Sequence, residues 1–170
     1  VPEPINPEKL KPLDESDPSN VTIDSTDLET ETLYRVGIKP DLEVVNVPEK
    51  LDVRLELDGN SRNEPLTIIP AKEAKVELLT YLDKTQLKVP KNSQQLNITG
   101  SGEIKLDPIP VSEEEKPNSV TIDKLSPRGD NENTGGITLV SDANITVQNV
   151  QVYGKTKLKG QTEAGQVTKC

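Results

Sequence analysis

The residues of this 170-residue chain that are able to do chemistry are few. There is no histidine, so the usual general base near neutral pH and the usual nitrogen ligand for metals are both missing. The single cysteine, Cys170, closes the sequence. No intrachain disulfide can form, and the thiol is either free or joined to another chain. Glu29 and Glu31 are a carboxylate pair of the type that could in principle serve a glycosidase. Sites that grip sugars add aromatic platforms, and this chain has only Tyr34, Tyr81 and Tyr153. Gly100-Ser101-Gly102 is too short to cradle a phosphate, and Gly135-Gly136 lacks the following lysine and helix. The sequence predicts a protein that is not an enzyme and carries no cofactor or metal, with a hydrolase as the weakest reading.

Three motifs remain, each with an ordinary structural explanation. Arg128-Gly129-Asp130 spells an adhesion-type tripeptide, but Pro127, Gly129, Asp130 and Asn131 are also what a turn demands. Asp130, Glu132, Thr134 and Gly135 partly match a calcium loop, whose closing bidentate Glu is replaced by Ser141. Asn20-Val21-Thr22, Asn97-Ile98-Thr99 and Asn144-Ile145-Thr146 are acceptor sites for N-glycosylation, at Asn20, Asn97 and Asn144. A chain with twelve Asn and 25 Ser or Thr yields about two such triplets by chance.

Composition narrows the partners. Acids outnumber bases by 29 to 20, which opposes nucleic acid, because phosphates call for a basic face. The imbalance is local. Residues 1–32 hold nine acids and two lysines, whereas residues 143–170 hold four lysines and one acid. No apolar run approaches the ~20 residues that span a membrane, so no membrane insertion is expected. The first residue, Val1, fits a processed mature protein or an excised fragment.

The elements that would position any site are strands. Leu51, Val53, Leu55 and Leu57 alternate with Asp52, Arg54, Glu56 and Asp58, the signature of a half-buried strand. Leu66 to Ile69 follow after a turn at Asp58-Gly59-Asn60. Further short strands are predicted at Val21–Asp24, around Tyr34, Val36 and Ile38, at Leu42–Val47, Leu87–Val89, Leu96–Thr99, Ile104–Leu106, Val120–Ile122, Ile137–Val140, Ile145–Val152 and Thr156–Lys159. Residues 71–83 fit a strand or one short helix, since Ala71, Ala74, Leu78, Leu79 and Leu82 keep helical spacing. With no Phe, Trp or Met, the core must be aliphatic, and Val53, Leu55, Leu57, Ile68 and Val76 are expected in it.

This pattern predicts an all-β fold, an immunoglobulin-like or jelly-roll sandwich with an aliphatic core. The expected divisions are an extended, Pro-rich, acidic arm (1–20), a β-sandwich domain (21–111), an acidic linker (112–117) and a second β unit (118–170). That second unit is either an incomplete repeat or part of the same sandwich. The repeat rests on an echo, Val21-Thr22-Ile23-Asp24 against Val120-Thr121-Ile122-Asp123. The function expected is a non-enzymatic structural subunit, extracellular or on the cell surface, that associates with itself through β-edges, as in a filament. The interface would pair Ile5, Leu10 and Leu13 of the arm with Lys155, Lys157 and Lys159, which alternate on one strand face. The alternative is a soluble domain of an envelope-anchored assembly or secretion factor that binds a protein partner.

Overall fold

The computed structural model describes residues 2–57, 64–91, 95–110, 119–129, 136–151, 153–154, 158–162 and 167–169. In chain order the strands begin with β1 (Glu3–Pro4), β2 (Leu10–Asp14), β3 (Asp17–Ile23), β4 (Leu33–Ile38), β5 (Val44–Val47) and β6 (Asp52–Leu57). They continue with β7 (Leu66–Pro70), β8 (Lys75–Thr80), β9 (Lys84–Pro90), β10 (Leu96–Gly100), β11 (Gly102–Ile109) and β12 (Ser119–Gly129). The last are β13 (Ile137–Ser141), β14 (Asn144–Val150), β15 (Tyr153–Gly154), β16 (Leu158–Thr162) and β17 (Val167–Lys169). A 3-10 turn, Pro7–Lys9, sits between β1 and β2, with Asn6 as its cap.

From β3 to β14 successive strands alternate between two sheets. One sheet runs β1-β4-β6-β8-β10-β12-β14-β17, with β15 beside β12, and the other runs β16-β13-β11-β9-β7-β5-β3-β2. Among the described residues every pairing is parallel except the β2–β3 hairpin. The chain therefore winds as a β-solenoid, each coil giving one strand to each sheet. This corrects the expected immunoglobulin-like or jelly-roll sandwich. A sandwich of that kind is sewn from antiparallel neighbours by hairpins and Greek keys. Here the chain crosses to the opposite sheet after nearly every strand and returns to pair in parallel one coil later. The short helix considered for residues 71–83 is also absent. Residues 71–74 form a turn closed by Ala74 N–H donating to the Ala71 carbonyl (3.0 Å). Residues 75–80 are β8, hydrogen-bonded between β6 and β10. Alternation of buried Val76, Leu78 and Thr80 with Lys75, Glu77 and Leu79 prevails over the helical spacing.

Coil length varies. Leu33 lies opposite Asp52, 52 − 33 = 19 residues on, while Asn97 lies opposite Lys124, 124 − 97 = 27 residues on. Gly102 lies opposite Ile137, a step of 137 − 102 = 35. What stays constant is the side-chain stack. On the inner face of one sheet, Val36, Leu55, Leu78, Ile98, Leu125 and Val150 form a continuous column. On the other, Val21, Val45 and Ile68 do the same. Val53, Leu55, Ile68 and Val76 are buried in one core, and Leu57 packs half-buried against it. Burying such a side chain contributes roughly 1.5–3 kcal/mol, and repetition compensates for the shortage of aromatics, of which Tyr34 joins the core. The Val-Thr-Ile echo does not mark a coil. Val21 to Ile23 stand in β3 and Val120 to Ile122 in β12, on opposite sheets.

One corner is dictated by glycine. Between β10 and β11 the chain changes sheets through Ser101 alone. Gly100 and Gly102 take φ of +134° and +103° there, and a Cβ on either would intrude on the carbonyl oxygen of Thr80 or Leu82. Ser101 N–H donates to the Thr80 carbonyl (3.0 Å), and Gly102 N–H to the Gly136 carbonyl (2.8 Å). Gly100-Ser101-Gly102 is thus a tight corner of the coil. The neighbouring corner is held by buried hydroxyls, Thr80 Oγ1 and Thr85 Oγ1 lying 3.0 Å apart.

Candidate functional site

The first twenty residues are built onto the solenoid. β1 adds two residues in parallel to β4, Glu3 opposite Tyr34 and Pro4 opposite Arg35. Ile5 N–H then donates to the Arg35 carbonyl (3.0 Å), and the chain turns away. β2 folds back as an antiparallel edge on β3, with an irregular register between Pro12 and Asp14. Prolines, bulges and short length are how sheets blunt an edge against unwanted pairing. Ile5 and Leu10 are partly buried against this chain's own core, whereas Leu13 is 63% exposed.

Where β1 stops, a groove opens. It holds about 650 Å³ and is lined by Ile5, Leu10, Pro12, Val21, Leu42 and Leu57, with Lys39, Asp41 and Glu56 supplying charge. Its floor is the second half of β4. Strand residues alternate in which neighbour their backbone addresses. The Arg35 carbonyl faces β1, so the N–H and C=O of Gly37 face the same side, beyond the last residue of β1. A Cβ on Gly37 would meet nothing within 4 Å.

The hairpin beside the groove is pinned by charge. Lys11 Nζ lies 3.1 Å from Asp24 Oδ2, and Thr26 N–H donates to Asp24 Oδ1 (2.9 Å). Hydrogen bonds from the Thr26 side chain and backbone, then Lys11, hold the Asp24 carboxyl well below the usual carboxylate range. Ser16 lowers Asp14 in the same way, its backbone N–H contributing most.

The outer face of the first sheet bears a polar column of Arg35, Arg54, Glu77, Asn97, Lys124 and Asn149 in consecutive register. Arg54 Nε pairs with Glu77 Oε1 at 2.9 Å, an ion pair whose angle does not make a hydrogen bond. This column of the first sheet is thus polar and part-buried at its centre, with Arg54 and Glu77 paired within it.

The residues singled out in the sequence are scattered. Lys159 stands in β16 opposite Thr138, while Lys155, Lys157 and Cys170 lie outside the described residues. Lys159 is not brought to the arm within one chain, since β2 and β16 are the opposite ends of one sheet. Asn20 lies in β3, its Oδ1 accepting from Asn46 Nδ2 (3.0 Å). Asn97 lies between two neighbouring strands with its amide oxygen buried. Asn144 is exposed at the start of β14. Arg128 and Gly129 end β12, paired with Tyr153 and Gly154. Asp130 and the partial calcium loop through Gly135 lie outside the described residues, as does the acidic stretch 112–117. Glu29 and Glu31 are exposed on the β3–β4 connection. Among the described residues no group of three or more Asp, Glu, Cys or His is placed to hold a metal ion, and no helix is long and apolar enough to cross a membrane. β10, from the first expected domain, pairs directly with β12 from the second. The groove has no signature in the sequence, because it arises where β1 ends against β4.

Comparison with family models, curated proteins and solved structures returned no match.

Proposed function

We propose that this chain is a non-enzymatic structural subunit, extracellular or on the cell surface, that associates with protein through its β-edges. The observation that carries this reading is the solenoid itself. Its stacked parallel strands make a stiff all-β body whose unpaired strand edges, among the described residues, lie at the ends of the sheets. Among the described residues, β16 pairs only with β13 and β17 only with β14. These edges lack the prolines and irregular pairing of the opposite end. The chemistry of the chain supports the same reading: no histidine, a single thiol at position 170 and three tyrosines leave little with which to build an active site. Acidic residues at one end of the sequence and basic ones at the other favour head-to-tail contact, which repeats into a filament unless it closes.

A second reading has one observation in its favour. The groove beside β4 suits a soluble domain of an envelope-anchored assembly or secretion factor that grips a partner's segment.

Light scattering after size exclusion, over a wide concentration range, tests the first reading. Mass should rise with concentration and fall with salt, since screening acts within ~8–10 Å at physiological strength. Electron microscopy should show end-on assemblies. A monomer that persists at the highest concentration in low salt refutes self-association.

A further inference from the structure

We propose that the groove beside β4 binds an extended peptide segment of another protein, one aliphatic residue flanked by lysine or arginine, as an added strand on Gly37. This names one edge within the β-edge reading above and rests on it.

Three observations converge on this site. First, β1 leaves β4 after Pro4, so Gly37 presents its N–H and C=O to a place where the sheet could take one more strand. Main-chain hydrogen bonds to such an edge give affinity, and side-chain pockets beside it give specificity. Secondly, the space is bounded by apolar walls, Leu10 and Pro12 from β2, Val21 from β3, and Leu42 and Leu57 opposite. Its 650 Å³ falls within the roughly 300–1,000 Å³ of ordinary binding sites. An added strand alternates its side chains, so one enters this space while its neighbours point away. Thirdly, the surroundings are acidic. Asp41 and Glu56 stand at the groove against Lys39, two acids to one base, while the lining contributed by residues 1–32 is uncharged. Basic neighbours on the peptide meet that field.

The test uses the full chain and two labelled peptides, acetyl-Lys-Val-Lys-Leu-Lys-amide and its glutamate counterpart, read by fluorescence polarisation. The lysine peptide should bind at least about tenfold tighter than the glutamate one, with the margin shrinking in high salt. Gly37→Pro removes the outward N–H and no ladder bond of the fold, and should weaken binding about tenfold or more. Should Gly37→Pro shift the thermal melt, the surface pair Asp41→Lys with Glu56→Lys decides instead, by abolishing the preference for lysine. Equal affinity for the two peptides, or binding indifferent to both variants, overturns the proposal. Self-association lost in Gly37→Pro without peptide binding also overturns it, and gives the groove to a second copy of this chain. Self-association retained in Gly37→Pro with no peptide binding sinks this inference alone and leaves the broader reading standing.

Discussion

Replacing Gly100 by alanine should destabilise this protein more than its size suggests. The residue sits at φ +134°, and a Cβ there would fall closer than 3.0 Å to the carbonyl oxygen of Thr80. That oxygen cannot simply move aside, because it accepts the Ser101 N–H that closes the corner. Holding a non-glycine residue at such a φ costs about 1–3 kcal/mol. Forcing a methyl into packed structure costs about 1–3 kcal/mol more. The sum, about 2–6 kcal/mol, is a large part of the ~5–15 kcal/mol that holds a typical domain. For a chain of this length each kcal/mol moves the melting temperature by about 2–4 °C, so a fall of at least about 4 °C is expected. Gly37→Ala is the matched control. It lies on open space at an ordinary strand φ and should be neutral or stabilise by about 0.4–1 kcal/mol. Thermal melts followed by far-ultraviolet circular dichroism read both. A Gly100→Ala protein that melts within about 1 °C of the parent refutes the corner geometry.

Two further outcomes follow from the core and the β2–β3 hairpin. Leu55, fully buried in the centre of a stacked column, should cost about 2–5 kcal/mol when cut to alanine, read as a lower urea midpoint at unchanged slope. The Asp24 carboxyl is held below its ordinary value of 3.8 by Thr26 and Lys11, so its stabilising effect is complete above that value and fades as pH falls through the folded one. Asp24→Asn should therefore lower the melt at pH 7 and converge with the parent at the lowest pH; a constant difference across the titration refutes it.

The strands were legible because alternation is local. Leu51 to Leu57 announces one buried face wherever that face ends up, and β6 is the strand expected there. Connectivity was not legible, since alternation is identical in parallel and antiparallel neighbours. A solenoid normally betrays itself by a fixed period. Here the steps from Leu33 to Asp52 and from Asn97 to Lys124 differ by eight residues, 27 − 19, because turns of different length join strands in the same register. The Val-Thr-Ile echo misled for a related reason, as any aliphatic coil position accepts those residues on either sheet. The prolines of residues 1–20 point to an extended arm; in the structure Pro12 sits on an edge strand, where its missing N–H costs little. The Ala71 to Leu82 spacing mimicked a helix only because a turn residue, Ala74, is buried beside strand residues.

The unequal coils have a mechanical consequence. Hydrogen bonds between coils run from strand to neighbouring strand, along the stacking direction, so tension applied between the two ends of the stack loads them one after another, like a zipper. A coil of 19 residues that peels away releases at most about 60–70 Å of chain, and one of 35 about 115–125 Å. Under load such a rod lengthens in uneven steps, and the size of each step is written in the turns.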